Sequence, residues 1–374
     1  MTQYIHDEPD WPTFRWDQGV VTPLLAQTAH AQGKLLGRME LLGFDPRQEA
    51  MLRTLTEDVL KTSAIEGEVL EPREVRSSLA RQLGLDAAGL PASSRHVDGI
   101  VEMTLDATGN LDLPLTEARL HAWHAALFPG GYSGLKRIAT AAWRTDSTGP
   151  MQVVSGPVGR ERVHFEAVPA ARIPLEISRF LEAFNRPLQQ PPILASALAH
   201  LWFVTIHPYE DGNGRIARAI ADMALARSDG SGQRFYSMSA QIMAERAAYY
   251  AVLEQTQKGS LDITGWMVWY CQCLARAIAN ADKTLGRVLH KAVFWQRAPV
   301  AGLNARQTRV LNALLDGFEG KLTTSRYAAL AKCSQDTALR DLAELAESGL
   351  LVKGTSRGRS THYTLASPPP EEHA

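Results

Sequence analysis

Apolar residues recur at helical spacing through most of the chain. Val21, Leu24, Leu25, Leu35, Met39 and Leu42 form one such series, and Gly43 offers a left-handed stop, so a helix is predicted up to that point. Met51, Leu52, Leu55, Val59 and Leu60 predict a second helix over 46–63, and Pro72 suits the first turn of a third over 72–82. The helical period resumes over 93–108 and after Thr116, which opens a helix over 120–128. Later helices are predicted over 174–184, 192–206, 215–227, 240–257 and 262–289.

Two stretches break this pattern. Residues 130–170 are rich in Gly, Pro and β-branched side chains, and 151–155 and 162–165 flank the turn 156–159 as a β-hairpin. From Asn304 onward, three short helices are predicted over 304–317, 325–331 and 334–348, with Ser334 as N-cap and Gly349 as stop. Two strands, 350–353 and 361–365, then enclose the loop 354–360. Three helices and a two-stranded wing are the order of a winged helix-turn-helix. The expected fold is mainly α, a helical core with one hairpin and a C-terminal winged helix. The first 19 residues read as an ordered arm packed by Trp11, Phe14 and Trp16, and 367–374 as a disordered tail.

Length and charge bound this picture. The 374 residues allow roughly two or three domains. At 45% hydrophobic and 21% charged the chain can bury a core, which excludes wholesale disorder. Lys+Arg of 39 against Asp+Glu of 40 exclude a polycation, but the charge is uneven. Residues 304–365 hold nine basic and six acidic side chains, a local +3 that leaves −4 elsewhere. Cys271, Cys273 and Cys333 fit neither a disulfide framework nor a zinc pattern and read as free thiols of a reducing cytoplasm. The N-terminus lacks the apolar core of a signal peptide. The longest weakly charged run, 263–275, is too short for about 30 Å of hydrocarbon, so no membrane partner is expected.

The segment richest in chemistry is His207-Pro-Tyr-Glu-Asp-Gly-Asn-Gly-Arg-Ile-Ala-Arg218. An apolar helix runs into His207, Pro208 stops it, and Gly212 and Gly214 bracket Asn213 in a turn that can expose backbone N–H groups. A new helix then opens with Arg215 and Arg218 on one face. Backbone donors, a positive helix end and two guanidinium groups make an anion site suited to phosphates. Asp211 can hold a hard cation such as Mg2+, and His207 can take a proton from an attacking hydroxyl. Each piece alone has a plainer use: a capping histidine, a solvated arginine pair, an ordinary turn. Their conjunction points to chemistry. Residues 212–217 also satisfy the dinucleotide-binding glycine pattern, but His-Pro-Tyr-Glu-Asp separates them from any strand and no alternating strand–helix series follows.

This segment resembles the signature of Fic-domain proteins, HPFxDGNGRxxR, with Tyr209 where Phe is usual. The surrounding helices and hairpin, the Trp-Pro-rich arm and the winged helix are similar to bacterial Fic proteins of that architecture. The resemblance divides the chain into an N-terminal helical region (1–115), a Fic core (116–290), the winged helix (291–366) and the tail. It implies transfer of AMP from ATP to a Ser, Thr or Tyr hydroxyl of a target protein. His207 would be the general base and Asp211 the Mg2+ ligand. Gly212, Asn213, Gly214, Arg215 and Arg218 would hold the nucleotide's phosphates, with Tyr249 and Tyr250 bordering the nucleotide. The hairpin corresponds to the family's flap, whose edge at Met151, Gln152, Val153 and Val154 would dock the target by strand addition.

Thr62-Ser-Ala-Ile-Glu-Gly67 is similar to the family's N-terminal inhibitory motif. The expectation is that Glu66 pairs with Arg218 and displaces the γ-phosphate. Glu66 can equally position a water that removes AMP. In the winged helix, Ser334, Gln335, Thr337 and Arg340 near one helix start, with Arg357 and Arg359 in the wing, suit DNA contact through 325–360, while Glu344 and Glu347 favour protein docking. Further alternatives are a DNA-binding regulator that uses the core as a nucleotide sensor, transfer of another group, and regulation by homodimerisation.

Overall fold

The computed structural model describes residues 4–40, 44–147, 149–157, 159–187, 190–297, 302–318, 320–354 and 361–366. The stop at Gly43, the wing residues Arg357 and Arg359, and the tail lie outside them. The chain divides into two compact units, residues 1–41 with 47–281, and residues 42–46 with 282–374.

In the first unit the arm is ordered. Trp11 is buried, donates its indole N–H to Glu176 Oε2 at 2.9 Å, and meets Phe14 and Trp202 edge to face. Helices α1 (Gln18–Glu40), α2 (Phe44–Ile65), α3 (Pro72–Gln82), α4 (Arg95–Gly109) and α5 (Glu117–Leu127) follow. Ser94 and Thr116 cap α4 and α5 through their hydroxyls. Helices α4 and α5 cross so closely at Gly99 that any Cβ there would collide with the Ala126 carbonyl. A two-residue ladder, β1 (Tyr132–Ser133) with β2 (Lys136–Arg137), precedes the hairpin β3 (Gln152–Ser155) and β4 (Arg162–Glu166).

Helices α6 (Ile173–Asn185), α7 (Pro192–Ile206) and α8 (Asn213–Asp229) form the centre. Helix α7 is apolar almost all round and α8 is buried along most of its length, and the two pack together, as such helices must. The helix predicted over 240–257 is instead two, α9 (Met238–Ala244) and α10 (Arg246–Gln257). Glu245 leaves the helical region between them (φ −115°, ψ 27°), and its carboxylate is held by Arg276 of α11 (Thr264–Arg297).

In the second unit, α12 (Ala305–Leu315), α13 (Thr324–Ala331) and α14 (Gln335–Glu347) enclose Val310, Leu311, Tyr327, Leu342 and Leu345, and β5 (Leu351–Lys353) pairs antiparallel with β6 (Tyr363–Leu365). Asp341 is 3% exposed and accepts from Arg306 Nε and the Tyr327 hydroxyl at 3.1 and 3.0 Å. No helix among the described residues is long and apolar enough to cross a membrane.

Candidate functional site

The site is the turn between the two most buried helices. His207 ends α7 in the left-handed region (φ 53°, ψ 56°), and Gly212 starts α8 at φ 82°. A Cβ at Gly212 would be strained and would lie 2.9 Å from the Phe128 ring, so glycine is required there twice over. Helix α8 begins at Asn213, two residues earlier than the pattern suggests. The Asn213 carboxamide accepts from Tyr209 N at 2.9 Å and donates to Tyr209 O at 2.8 Å, closing the loop on itself. Asn213, expected on phosphate through its side chain, thus spends these contacts on building the turn.

His207 is partly exposed, and its Nδ1 donates to Val204 O at 3.2 Å. That bond selects the tautomer whose Nε2 carries the lone pair. Burial presses the imidazole pKa down to about 4, so the ring is a neutral proton acceptor at physiological pH. Asp211 accepts from Gly212 N at 2.6 Å through Oδ1 and from the Ser133 hydroxyl through Oδ2. Tyr209 is fully buried and stacks on His124 (4.1 Å between centroids, 8° between planes), and its hydroxyl meets His121 Nδ1 at 3.0 Å. The hydroxyl that distinguishes Tyr from Phe at this position is therefore satisfied. His124 receives the Ala141 N–H on Nδ1 and donates from Nε2 to Asp211 O, and burial lowers its pKa to about 4.

Both arginines are buried. Arg218 donates from Nε to Thr62 Oγ1 (2.8 Å) and from Nη2 to Thr62 O (2.9 Å) and Glu66 Oε1 (2.7 Å). Burial works against its charge, but the Glu66 carboxylate holds its pKa above the usual value. Arg215 donates to Glu68 Oε2 at 3.1 Å and lies over the Phe128 ring. Arg218 Nη1 and Arg215 Nε are buried with no hydrogen-bond partner among the described residues. These are donors of the kind an anion would satisfy.

Residues 62–67 reach the site through the end of α2. Gly67 takes φ 86°, and the Glu66 and Glu68 N–H groups both return to Ser63 O. The Glu66 carboxylate stands over Gly214, where a Cβ would collide with Oε1, at the positive end of α8. Glu68 bonds His96 as well as Arg215. Burial raises its pKa, but those two partners hold the net value below the usual carboxylate range.

The hairpin residues Gln152–Ser155 form its outer strand. Val154 is exposed, the Met151 carbonyl accepts from Ala167 N, and β4 faces α10 through Glu254. Tyr249 lies buried beside Arg218 and Glu66, close enough for both charges to act on its hydroxyl. It is 1% exposed, donates to or accepts from His200 Nε2 at 2.9 Å, and packs among Trp266 and Trp269, because its face of α10 turns inward. Tyr250, on the adjacent face and 38% exposed, donates weakly to Ile65 O beside Glu66. Sequence reasoning missed Glu68, His96, His124 and Arg144. For Glu68 a signal existed, a second carboxylate two residues beyond Glu66. The other three are assembled by tertiary contacts alone.

Residues 114–225 match the Fic/DOC family, and residues 4–85 match a domain of unknown function, DUF4172. No curated protein matches the sequence significantly. Among solved structures, a Fic family protein from Desulfovibrio desulfuricans G20 is 20% identical with a TM-score of 0.55, covering 96% of this chain and 99% of its own. A Fic domain containing signaling protein from Bacteroides thetaiotaomicron is 18% identical (TM-score 0.49), covering 71% of this chain and 97% of its own. Fic-1 from C. elegans is 21% identical (TM-score 0.48), covering 71% and 75%. The chain carries a Fic/DOC domain and shares the Desulfovibrio protein's fold.

Proposed function

We propose that the Fic/DOC domain carried by this chain transfers AMP from ATP to a hydroxyl side chain of a target protein, and that Glu66 restrains it. Fic/DOC proteins are transferases that bind nucleotide and act on proteins. One observation above the others carries the finer reading. The start of α8 presents two buried guanidinium groups, each with an unpartnered N–H, around a place now taken by the Glu66 carboxylate. A site that accepts one anion so readily is built for a stronger one.

In this reading the triphosphate displaces Glu66, with Arg215 and Arg218 on its β- and γ-phosphates and the Gly212–Gly214 turn beneath it. His207 Nε2 takes the proton of the incoming hydroxyl. That oxygen bonds to the α-phosphorus as the α–β bridging bond breaks and pyrophosphate leaves with the electron pair. Arg215 and Arg218 stabilise the charge that develops. Asp211 fits Mg2+ by its chemistry: it is a hard oxygen ligand next to the Gly212–Gly214 turn, and phosphates and water would complete the cation's shell. Mg2+ would supply charge neutralisation between the phosphates. The exposed strand Gln152–Ser155 would take the target segment as an added strand.

The test uses Glu66→Gly protein with ATP labelled on the α- or the γ-phosphate. Protein-bound label from the α-phosphate that disappears with His207→Ala supports AMP transfer. Label from the γ-phosphate alone would mean phosphorylation and overturn it.

For the second unit, DNA contact through 325–360 would rest on Arg340, which is exposed on α14, while Asp341 beside it is turned into the core with Arg306. Asp336, Glu344 and Glu347 are exposed on the same helix, which weakens that face for DNA. Duplex affinity that falls steeply with salt is expected, and salt-insensitive binding would point to protein docking.

A further inference from the structure

Arg144 is a buried guanidinium outside the signature segment, and every one of its nitrogens is used. Its residue is 2% exposed. Its backbone N–H donates to Pro208 O at 2.9 Å, and Nε donates to His207 O at 2.8 Å. Nη1 donates to Asp146 Oδ1 at 2.7 Å, and Nη2 to Val168 O. Asp146 in turn accepts the Ala170 N–H at 2.6 Å. Three stretches of chain therefore meet on one residue: the segment entering the hairpin, the segment leaving it, and the turn at His207.

His207 needs such a partner. It is one of three non-glycine residues at positive φ among those described. A left-handed L-residue is strained, so the conformation persists only where surrounding contacts fix it. A buried arginine is itself costly unless paired, which makes this a poor choice for mere packing. Both carbonyls that follow the strained backbone, at 207 and 208, end on Arg144.

We propose that Arg144 is the positioning residue of the site, holding His207 in the left-handed turn that leaves its Nε2 as proton acceptor and locking both roots of the β3–β4 hairpin to that turn. Target strand and general base are then placed by one guanidinium. The inference rests on the reading of His207 as general base. Arg144 touches neither nucleotide nor target in this scheme and acts only through His207 and the hairpin.

The experiment compares Arg144→Lys, Asp146→Asn and His207→Ala, each in Glu66→Gly protein. It measures self-labelling from α-labelled ATP over a range of ATP, and the ring tautomer of His207 by 15N NMR without nucleotide. Arg144→Lys keeps the charge but cannot span the guanidinium's three acceptors. It should lower kcat by about tenfold or more while KM for ATP changes less than about twofold, and mix the His207 tautomers. Asp146→Asn, a gentler change that loosens Arg144's anchor, should show the same signature more weakly, and it decides the matter if Arg144→Lys does not fold. Unchanged kcat and an unchanged tautomer overturn the positioning role even with His207→Ala inert. Full activity in His207→Ala, or no α-label in any protein, overturns the AMP-transfer reading instead, and the tautomer still reports on Arg144.

Discussion

Glu66 Oε1 lies 2.7 Å from Arg218 Nη2 and directly over Gly214, in the first turn of α8. The carboxylate satisfies one buried guanidinium N–H and leaves Nη1 without a partner. A charge-assisted bond of this kind contributes about 1.5–3 kcal/mol, and about 1.4 kcal/mol is tenfold in an equilibrium. Glu66→Gly should therefore raise the rate of AMP transfer by about tenfold or more with the fold retained, and Glu66→Gln should fall between. Equal labelling rates in all three proteins, with ATP bound, would remove the restraint.

His207 offers a second check through pH. An imidazole of ordinary pKa would be about nine-tenths protonated at pH 5.5, useless as a base. Burial holds this one near 4, so it stays neutral there. Labelling at saturating ATP by Glu66→Gly protein should be nearly flat from pH 8 to 5.5. A limb centred near 6.5 would mean that the ring is solvated during turnover.

Most of the architecture was legible in the pattern, because amphipathic helices announce themselves and the signature fixes its own turn. Pro192–Ile206 and Pro72–Gln82 follow directly from proline at a first turn and an apolar run. The break at Glu245 was hidden, since nothing local distinguishes a helical glutamate from one drawn out of the helix by Arg276. The different surroundings of Tyr249 and Tyr250 were hidden for a related reason: adjacent residues on a helix face different ways, so Tyr249 is buried against Arg218 while Tyr250 stays 38% exposed beside Glu66. Arg144 is the clearest case. It meets carbonyls of two distant segments, at 168 and at 207–208, and no sequence spacing records that.

Two further histidines make stability depend on pH. His124 and His200 are fully buried, and burial lowers their pKa values to about 4 and about 3. Unfolded, each binds a proton below about 6.5, so the unfolded chain holds more protons between the two values and stability falls as pH drops. From pH 7.5 to 5 each should cost about 2 kcal/mol, visible as a falling urea midpoint. His200→Gln should flatten part of that slope, and an unchanged slope would show that His200 is already protonated when folded.

Gly99 ties packing to the site. A Cβ there meets the Ala126 carbonyl of α5, and the end of α5 supplies Leu127 and Phe128, the residues that border Gly212. Gly99→Ala must push the two helices apart, an overpacking that typically costs about 1–3 kcal/mol. A lower melting temperature together with slower labelling is expected. A lowered melting temperature with full activity would show that the shift is absorbed away from the Gly212 turn.

Glu68 leads to the last prediction. It stands two residues beyond Glu66, with Gly67 between them at positive φ, and Arg215 stands three before Arg218. The structure pairs them in order, Glu66 with Arg218 and Glu68 with Arg215, and His96 holds the other oxygen of Glu68. Removing Glu66 alone leaves the first arginine engaged. At 3.1 Å against 2.7 Å the Glu68 pair is the longer of the two, and at about 0.5–1.5 kcal/mol its loss corresponds to roughly two- to tenfold in affinity. Glu66→Gly with Glu68→Gln should bind ATP more tightly than Glu66→Gly alone by that margin, measured by calorimetric titration in Mg2+. His96→Gln should weaken the hold of Glu68 and move affinity in the same direction by less. Identical dissociation constants for the single and double variants would show that Arg215 engages phosphate without releasing Glu68, and the end of α2 would then restrain the site through Arg218 alone.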